Sequence, residues 1–276
     1  MKKWLIGILA FILTVSAAYY QRITGPTYPQ KAQFNIQGKT ISFQLPHSHE
    51  TTSNCPVYIP LDGKTFTAKM FYRFYPTTLP FSEINFAKQG DSLVAELPLQ
   101  PSAGKLLYYI TIAENGKIFF SNENDPQIVR FKGAVPLYIL IPHILLMFFS
   151  MFFAVFVALR IFAKMKYKPY LYTTVILLFF GGMILGPIVQ QYAFGALWTG
   201  IPFGWDLTDN KTLIAFVFWL IALFTNISLR ENKIWVILAT VMTLVIFSIP
   251  HSMFGSQLDY ETGKTVQGFI SLFFNP

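Results

Sequence analysis

His143 and His251 are the residues of this sequence best suited to chemistry, and each follows an Ile-Pro dipeptide, as Ile141-Pro142-His143 and Ile249-Pro250-His251. Two neutral imidazoles facing the interior of a helical bundle are the usual axial pair of a b-type haem. Met147 and Met151 follow His143 at i+4 and i+8, a polarisable stripe that serves packing as readily as ligation. Between the histidines runs the segment Gly195 to Lys211, with Trp198, Trp205, turn-forming Gly and Pro, and the carboxylates Asp206 and Asp209. Its aromatic faces suit a flat apolar ligand, although an interfacial tryptophan belt has the same composition. Asp206 or Thr208 is placed to cap the helix that follows. A second constellation is His47-Ser48-His49-Glu50. On a strand, positions i and i+2 share a face, so His47 and His49 could reach one copper or zinc ion. Cys55 and Met70 are the imaginable further ligands, and a polar turn leaving a strand is the plainer reading.

The elements that must carry these residues are mostly apolar. Of 276 residues 53% are hydrophobic and only 12% charged, about half the usual charged share of a soluble domain. Five runs are apolar enough to enter a bilayer, whose ~30 Å core takes about 20 helical residues: Trp4 to Tyr20, Leu137 to Leu159, Leu171 to Tyr192, Leu213 to Leu229 and Ile234 to Ile249. Backbone in lipid must close its own hydrogen bonds, so these read as helices. The first, at residues 1–20, fits a signal anchor or a cleaved signal peptide with Ser16-Ala17-Ala18 before the cut. Gly182 and Gly186 form a GxxxG face on the third run, and Pro187 is expected to kink it.

The formal charge of +8 would alone invite a nucleic-acid partner, but its distribution removes that reading. Lys2, Lys3, Arg160, Lys164, Lys166, Lys168, Arg230 and Lys233 all fall at one end of the runs, with Glu231 the single acid among them. By the positive-inside rule that end is cytoplasmic, and the rest of the chain is nearly neutral. His143 lies 17 residues before Arg160 and His251 lies 18 residues after Lys233. At 1.5 Å per residue both are about 26 Å above the inner interface, at one exported-side depth.

Residues 31–133 read as an exported all-β sandwich. Short alternating segments at Thr40 to Leu45, Thr65 to Phe71, Ser92 to Leu97 and Lys105 to Ile112 are separated by Asp62-Gly63, Gln89-Gly90 and Asn115-Gly116. Asn-Gly is a hairpin signal, because both central residues of a type I′ turn need positive φ. The run Leu97-Pro98 to Gly104-Lys105-Leu106-Leu107-Tyr108-Tyr109-Ile110 resembles part of fibronectin type III-like domains. The expected architecture is therefore an exported Ig or fibronectin III-like sandwich at 31–133, a four-helix transmembrane bundle at 136–252, the anchor or signal, and an exported or interfacial tail at 253–276.

The order of these parts resembles the haem-handling membrane core of the cytochrome c assembly family over roughly residues 137–256. Pro142-His143-Ile144-Leu145-Leu146-Met147 looks like the helix bearing the family's first exported-side histidine. Gly195-Ala196-Leu197-Trp198 and Gly204-Trp205-Asp206 through Asn210-Lys211-Thr212 look like its tryptophan-rich loop and helix, and His251-Ser252 like its second histidine. The family's loop carries several tryptophans before its Asp, whereas this chain has two. The resemblance implies haem b as the cofactor, His143 and His251 as axial ligands, and Trp198, Trp205 and Asp206 as an exported haem platform. It also implies a bacterial-type inner membrane location with residues 21–135 and the C-terminus exported.

Two other readings compete. The sequence contains no nucleophile–base arrangement and no phosphate loop, which fits a non-catalytic scaffold whose sandwich docks a periplasmic or membrane partner. Alternatively, Asp206, Asp209, Gln190 and Gln191 could line an ion path, against which no acid lies mid-way along any apolar run.

Overall fold

The computed structural model describes residues 3–229, 231–250 and 255–266. They form two compact units, one of Met1–Pro26 with Val135–Gly255 and the other of Thr27–Ala134 with Ser256–Pro276.

The first unit is helical. It comprises α1 (Lys3–Ile23), α2 (Leu137–Phe162), α3 (Lys168–Leu178), a π-helical segment (Phe179–Leu185), α4 (Gly186–Phe194), α5 (Leu207–Phe224) and α6 (Lys233–Ser248). Trp4–Ile23, Leu137–Phe162, the continuous helix Lys168–Phe194 and Leu207–Phe224 are long and apolar enough to cross a membrane, while Lys233–Ser248 is apolar but shorter. Expected as an anchor or a removable signal, α1 packs as a member of the bundle. Ile6, Ala10 and Thr14, spaced i, i+4, i+8, are fully buried, whereas Trp4, Ile8, Phe11 and Ile12 are exposed. Phe11 meets Phe148 of α2 edge-on, and Gln21 Nε2 donates to the Ile249 carbonyl at the end of α6.

Small residues let the central helices approach closely: Ala154, Ala215, Ala222 and Ala239 are all buried. Trp219, fully buried, donates its indole N–H to Thr243 Oγ1, and Thr240 Oγ1 donates to the Ala154 carbonyl. Ser150 Oγ is buried in α2 with no hydrogen-bond partner among the described residues, an arrangement that costs about 1–3 kcal/mol. Ser150→Ala is therefore expected to raise the thermal midpoint of the detergent-solubilised protein, and a lowered midpoint would contradict that assignment.

The basic end of the unit is tied by its own loops. Arg160 donates to the Lys166 carbonyl and lies over the Tyr170 ring, while Tyr167 donates to Asn226, whose amide donates on to the Asn232 carbonyl. At the other end, Pro187, expected to kink its helix, has no N–H to give, and the helix before it runs as the π-helical segment. Gly186 N–H there donates five residues back, to the Gly181 carbonyl. The closest helix approach uses Gly181 and Gly182: a Cβ would lie 2.9 Å from Leu146 Cβ on Gly181 and 2.8 Å from Thr212 Cγ2 on Gly182, while Gly186 has more room.

The second unit is built of strands. A hairpin of β1 (Gln30–Ile36) and β2 (Lys39–Leu45) turns at Gln37-Gly38, both with positive φ. A larger sheet has the order β3 (Ser48–Glu50), β11 (Gln127–Lys132), β9 (Lys105–Glu114), β5 (Thr67–Phe74), β6 (Ser82–Asn85), with β10 (Lys117–Ser121) also on β9 across the Asn115-Gly116 turn. A third sheet orders β4 (Cys55–Pro60), β8 (Ser92–Leu97) and β7 (Ala87–Gln89). Alternating inward residues of all three, including Phe34, Phe43, Ile59, Met70, Leu97, Tyr108 and Phe131, form one hydrophobic core. Helices and a sizeable β region thus coexist in the chain.

The C-terminal segment, expected as an exported or interfacial tail, belongs in its described part to the β unit. Strands β12 (Gln257–Leu258) and β13 (Thr265–Val266) pair. Leu258 N–H donates to the Ala103 carbonyl, Arg130 Nη2 to the Ser256 carbonyl, and Tyr260 Oη both accepts from and donates to the Lys105 backbone.

Candidate functional site

The candidate site lies where α2 and α4 meet the start of α5. His143, nearly two turns into α2, is half-buried, and its Nδ1 lies 2.9 Å from the Gly181 carbonyl of the π-helical segment. A carbonyl only accepts, so Nδ1 carries the proton and Nε2 keeps its lone pair. Metal-binding histidines use the same arrangement, spending one ring N–H on a backbone carbonyl to fix the tautomer. A Cβ on Gly186 would lie 3.9 Å from His143 Cε1, so Gly186 stands beside the ring edge. Met147, the next residue of the stripe, directs its Sδ at Gly181 and Gly182, 3.2 and 3.5 Å from their Cβ positions. It is packed into the helix contact, whereas Met151 is buried in the core of the bundle. His251, the expected second ligand, lies outside the described residues. The structure reaches as far as Ile249 and Pro250, whose carbonyls both accept from Lys211 Nζ, at 2.9 and 3.5 Å.

The loop between α4 and α5 is tightly folded. Gly195 ends α4 in the left-handed region, as a helix C-terminus favours. Asp206 is the N-cap of α5, its carboxylate accepting from the N–H groups of Thr208 and Asp209. The expected platform residues therefore have separate roles. Asp206 terminates a helix, Trp198 donates its indole N–H to the Ile201 carbonyl, and Trp205 is 69% exposed.

The first turn of α5, expected as part of the loop or of an ion path, presents a buried polar face. Asp209, Asn210 and Lys211 are all buried. Asp209 Oδ2 accepts from Thr199 N–H at 2.6 Å and from Thr199 Oγ1 at 3.1 Å, while Gln190 Nε2 of α4 donates to the same hydroxyl. Asn210 Oδ1 accepts from Ile201 N–H. Gly200 and Gly204 make this possible: a Cβ on Gly200 would lie 2.7 Å from Asp209 Cβ, and one on Gly204 would overlap the Thr199 carbonyl oxygen. The detectable signal was the pair of glycines four apart, facing three successive polar residues at a capped helix start.

No protein-family model matches the chain, and no curated protein matches it.

In the β unit, the two histidines of the His47-Ser48-His49-Glu50 segment have different partners. His47 Nε2 is hydrogen-bonded to Gln127 Oε1, and His49 Nε2 to Ser53 Oγ with its ring edge-on to Phe131. Cys55 and Met70 lie in the hydrophobic core, and burial pushes the Cys55 thiol up to about 12. Among the described residues no group of three or more His, Cys, Asp or Glu is placed to hold a metal ion.

Proposed function

We propose that this chain is an integral membrane protein that binds or handles a b-type haem near the exported face of its helical bundle. The observation that carries the reading is the His143 ring, fixed through Nδ1 on Gly181, with no hydrogen bond to Nε2 among the described residues and Gly186 beside its edge. His143 would supply one axial ligand and His251 the other. Lys211 and Gln21 fasten the end of α6 two residues before His251. Trp198, with Asp206 as the cap that shapes its loop, would border the group. A haem held there supplies either a redox centre or a cargo for an exported acceptor in cytochrome assembly.

The topology rests on connectivity as well as charge. The chain leaves the β unit at Ala134 and returns to it at Ser256, so it crosses the bilayer an even number of times between them. Three long apolar helices lie in that interval, and the short α6 completes the even number. With the basic residues cytoplasmic, the β unit and the segment after α6 are exported from a bacterial-type inner membrane.

Purified from haem-replete cells, the protein is expected to show a Soret band that is lost in His143→Ala and in His251→Ala while both variants retain the wild-type elution volume. A wild type without the band, or variants with an undiminished one, overturns the reading. One observation favours a second reading, a scaffold subunit docking a periplasmic partner: Asp206, Asp209, Asn210 and Trp198 are all engaged in building their own loop. Photo-crosslinkers on the exposed Tyr58 of β4 would then capture a single protein in cells, with no haem in the complex.

A further inference from the structure

The loop from Gly195 to Trp205 has the polarity of a protein turned inside out. Leu197, Ile201, Phe203 and Trp205 are 55%, 45%, 83% and 69% exposed, while Asp206, Asp209, Asn210 and Lys211 behind them are buried. A loop facing water does the reverse, because exposing large apolar side chains gains nothing and burying charges is costly. No residue between Lys168 and Asp206 is charged, so the absence of charge continues from the helix through the whole loop. Part of the loop backbone is also closed on itself. Gly195 N–H donates to Gln191, Thr199 to Asp209, Ile201 to Asn210, Phe203 and Gly204 to Gly200, and Asp206 to Thr199, while Pro202 has no N–H. Irregular backbone at membrane depth requires that kind of internal satisfaction.

We infer that this loop is an interfacial element seated in the exported leaflet, with the boundary between lipid headgroups and acyl chains as the occupant of its outward face. The inference rests on the membrane crossings proposed above and is independent of haem. Lipid is favoured by continuity: Tyr192 at the end of α4 and Ile214 and Val217 on α5 are likewise exposed and apolar, so the loop prolongs the surface those helices present to the bilayer. Aromatic rings on a neutral backbone fit that depth, where Trp and Tyr concentrate in membrane proteins.

The test uses the full chain in sealed vesicles and in phosphatidylethanolamine/phosphatidylglycerol proteoliposomes, with cysteines introduced singly by Phe203→Cys, Trp205→Cys, Tyr58→Cys and Leu229→Cys. Native Cys55 is buried and stays silent. A charged maleimide is expected to label Phe203→Cys and Trp205→Cys roughly tenfold more slowly than Tyr58→Cys, and a bimane there to be quenched more by doxyl groups near the headgroup than near the acyl terminus, as for residues about 5–10 Å deep. Labelling as fast as at Tyr58→Cys overturns the inference. So does protection without lipid quenching, which would assign the face to a protein or a bound cofactor. Tyr58→Cys and Leu229→Cys separate the two levels of failure. Labelling from opposite sides of the vesicle leaves the crossings standing, and labelling from one side removes them.

Discussion

Asp209→Ala is expected to unfold the loop between α4 and α5 and to lower the stability of the detergent-solubilised protein by roughly 3–5 kcal/mol, taking about 1–3 kcal/mol for each buried partner left unmet. Two donors of Thr199 reach this one carboxylate, and a third group is linked to it through them. Thr199 gives it both its N–H and its hydroxyl, and Gln190 reaches the same hydroxyl from α4. Removing the carboxylate leaves the part-buried N–H and hydroxyl of Thr199 without this acceptor and unlinks α4 from α5. Asp209→Asn keeps a carbonyl oxygen for the Thr199 N–H and loses only the charge, so about half the effect is expected, hydrogen bonds to charged groups being worth about 1.5–3 kcal/mol against about 1 for neutral ones. The measurement is denaturant unfolding of both variants, with limited proteolysis between Leu197 and Trp205 as the local readout. Wild-type stability in Asp209→Ala together with an uncut loop would show that the carboxylate does not hold the loop.

The sequence disclosed the elements better than the contacts between them. Five apolar runs read as helices are helices, because the requirement to bury backbone polar groups is local to each segment. Asn115-Gly116 turns a hairpin as its chemistry demands, and Asp206 caps α5. The Gln37-Gly38 turn was harder to see, since Gln is an unusual residue at positive φ and only the glycine announces it. Pro187 announced a break in its helix but not its form. The π-helical segment depends on Gly181 and Gly182 fitting against Leu146 and Thr212, contacts made on other helices. The same distance in sequence hid the C-terminal segment: Tyr260 meets the backbone of Lys105, 155 residues earlier. His143 was legible as a candidate from its depth, but its tautomer follows from a carbonyl on another helix. Asp209 was legible as a loop carboxylate, but its burial with Asn210 and Lys211 was not, because nothing local says that the loop folds back over them.

The contact between the C-terminal segment and the sheet has a consequence for stability against pH. Lys105 on β9 pairs in register with Arg130 on β11, its Nζ donates to Gln257 Oε1, and Tyr260 Oη lies on its backbone. Burial, with the neighbouring Arg130 charge adding to it, lowers the Lys105 ammonium from its ordinary 10.5 to about 8. Between those two values the unfolded chain holds a proton that the folded chain has released, so the stability of the β unit rises with pH across that window. Below it the lysine is charged in both states and the folded state bears the whole penalty, about 3 kcal/mol at one pKa unit per 1.36 kcal/mol. Burial pushes the Tyr260 hydroxyl the other way, from 10 up to about 12. There the folded chain keeps a proton the unfolded chain has lost, and stability falls as pH rises from 10 toward 12. The Cys55 thiol, raised from 9 to about 12, acts in the same sense as Tyr260 and offsets the Lys105 gain above pH 9, so the stability maximum of the β unit falls near pH 9 to 10. Lys105→Met should therefore stabilise the β unit at pH 7 by roughly 1–2 kcal/mol, the relieved penalty less about 1 kcal/mol for the lost hydrogen bond to Gln257. The rise in stability above pH 8 should disappear with it, while the fall at higher pH, which belongs to Cys55 and Tyr260, should persist. Denaturant unfolding of the full chain followed at several pH values reads both limbs. A variant that is less stable than wild type at pH 7, or that keeps the rising limb, would mean that Lys105 is anchored by a stronger partner than the Gln257 side chain.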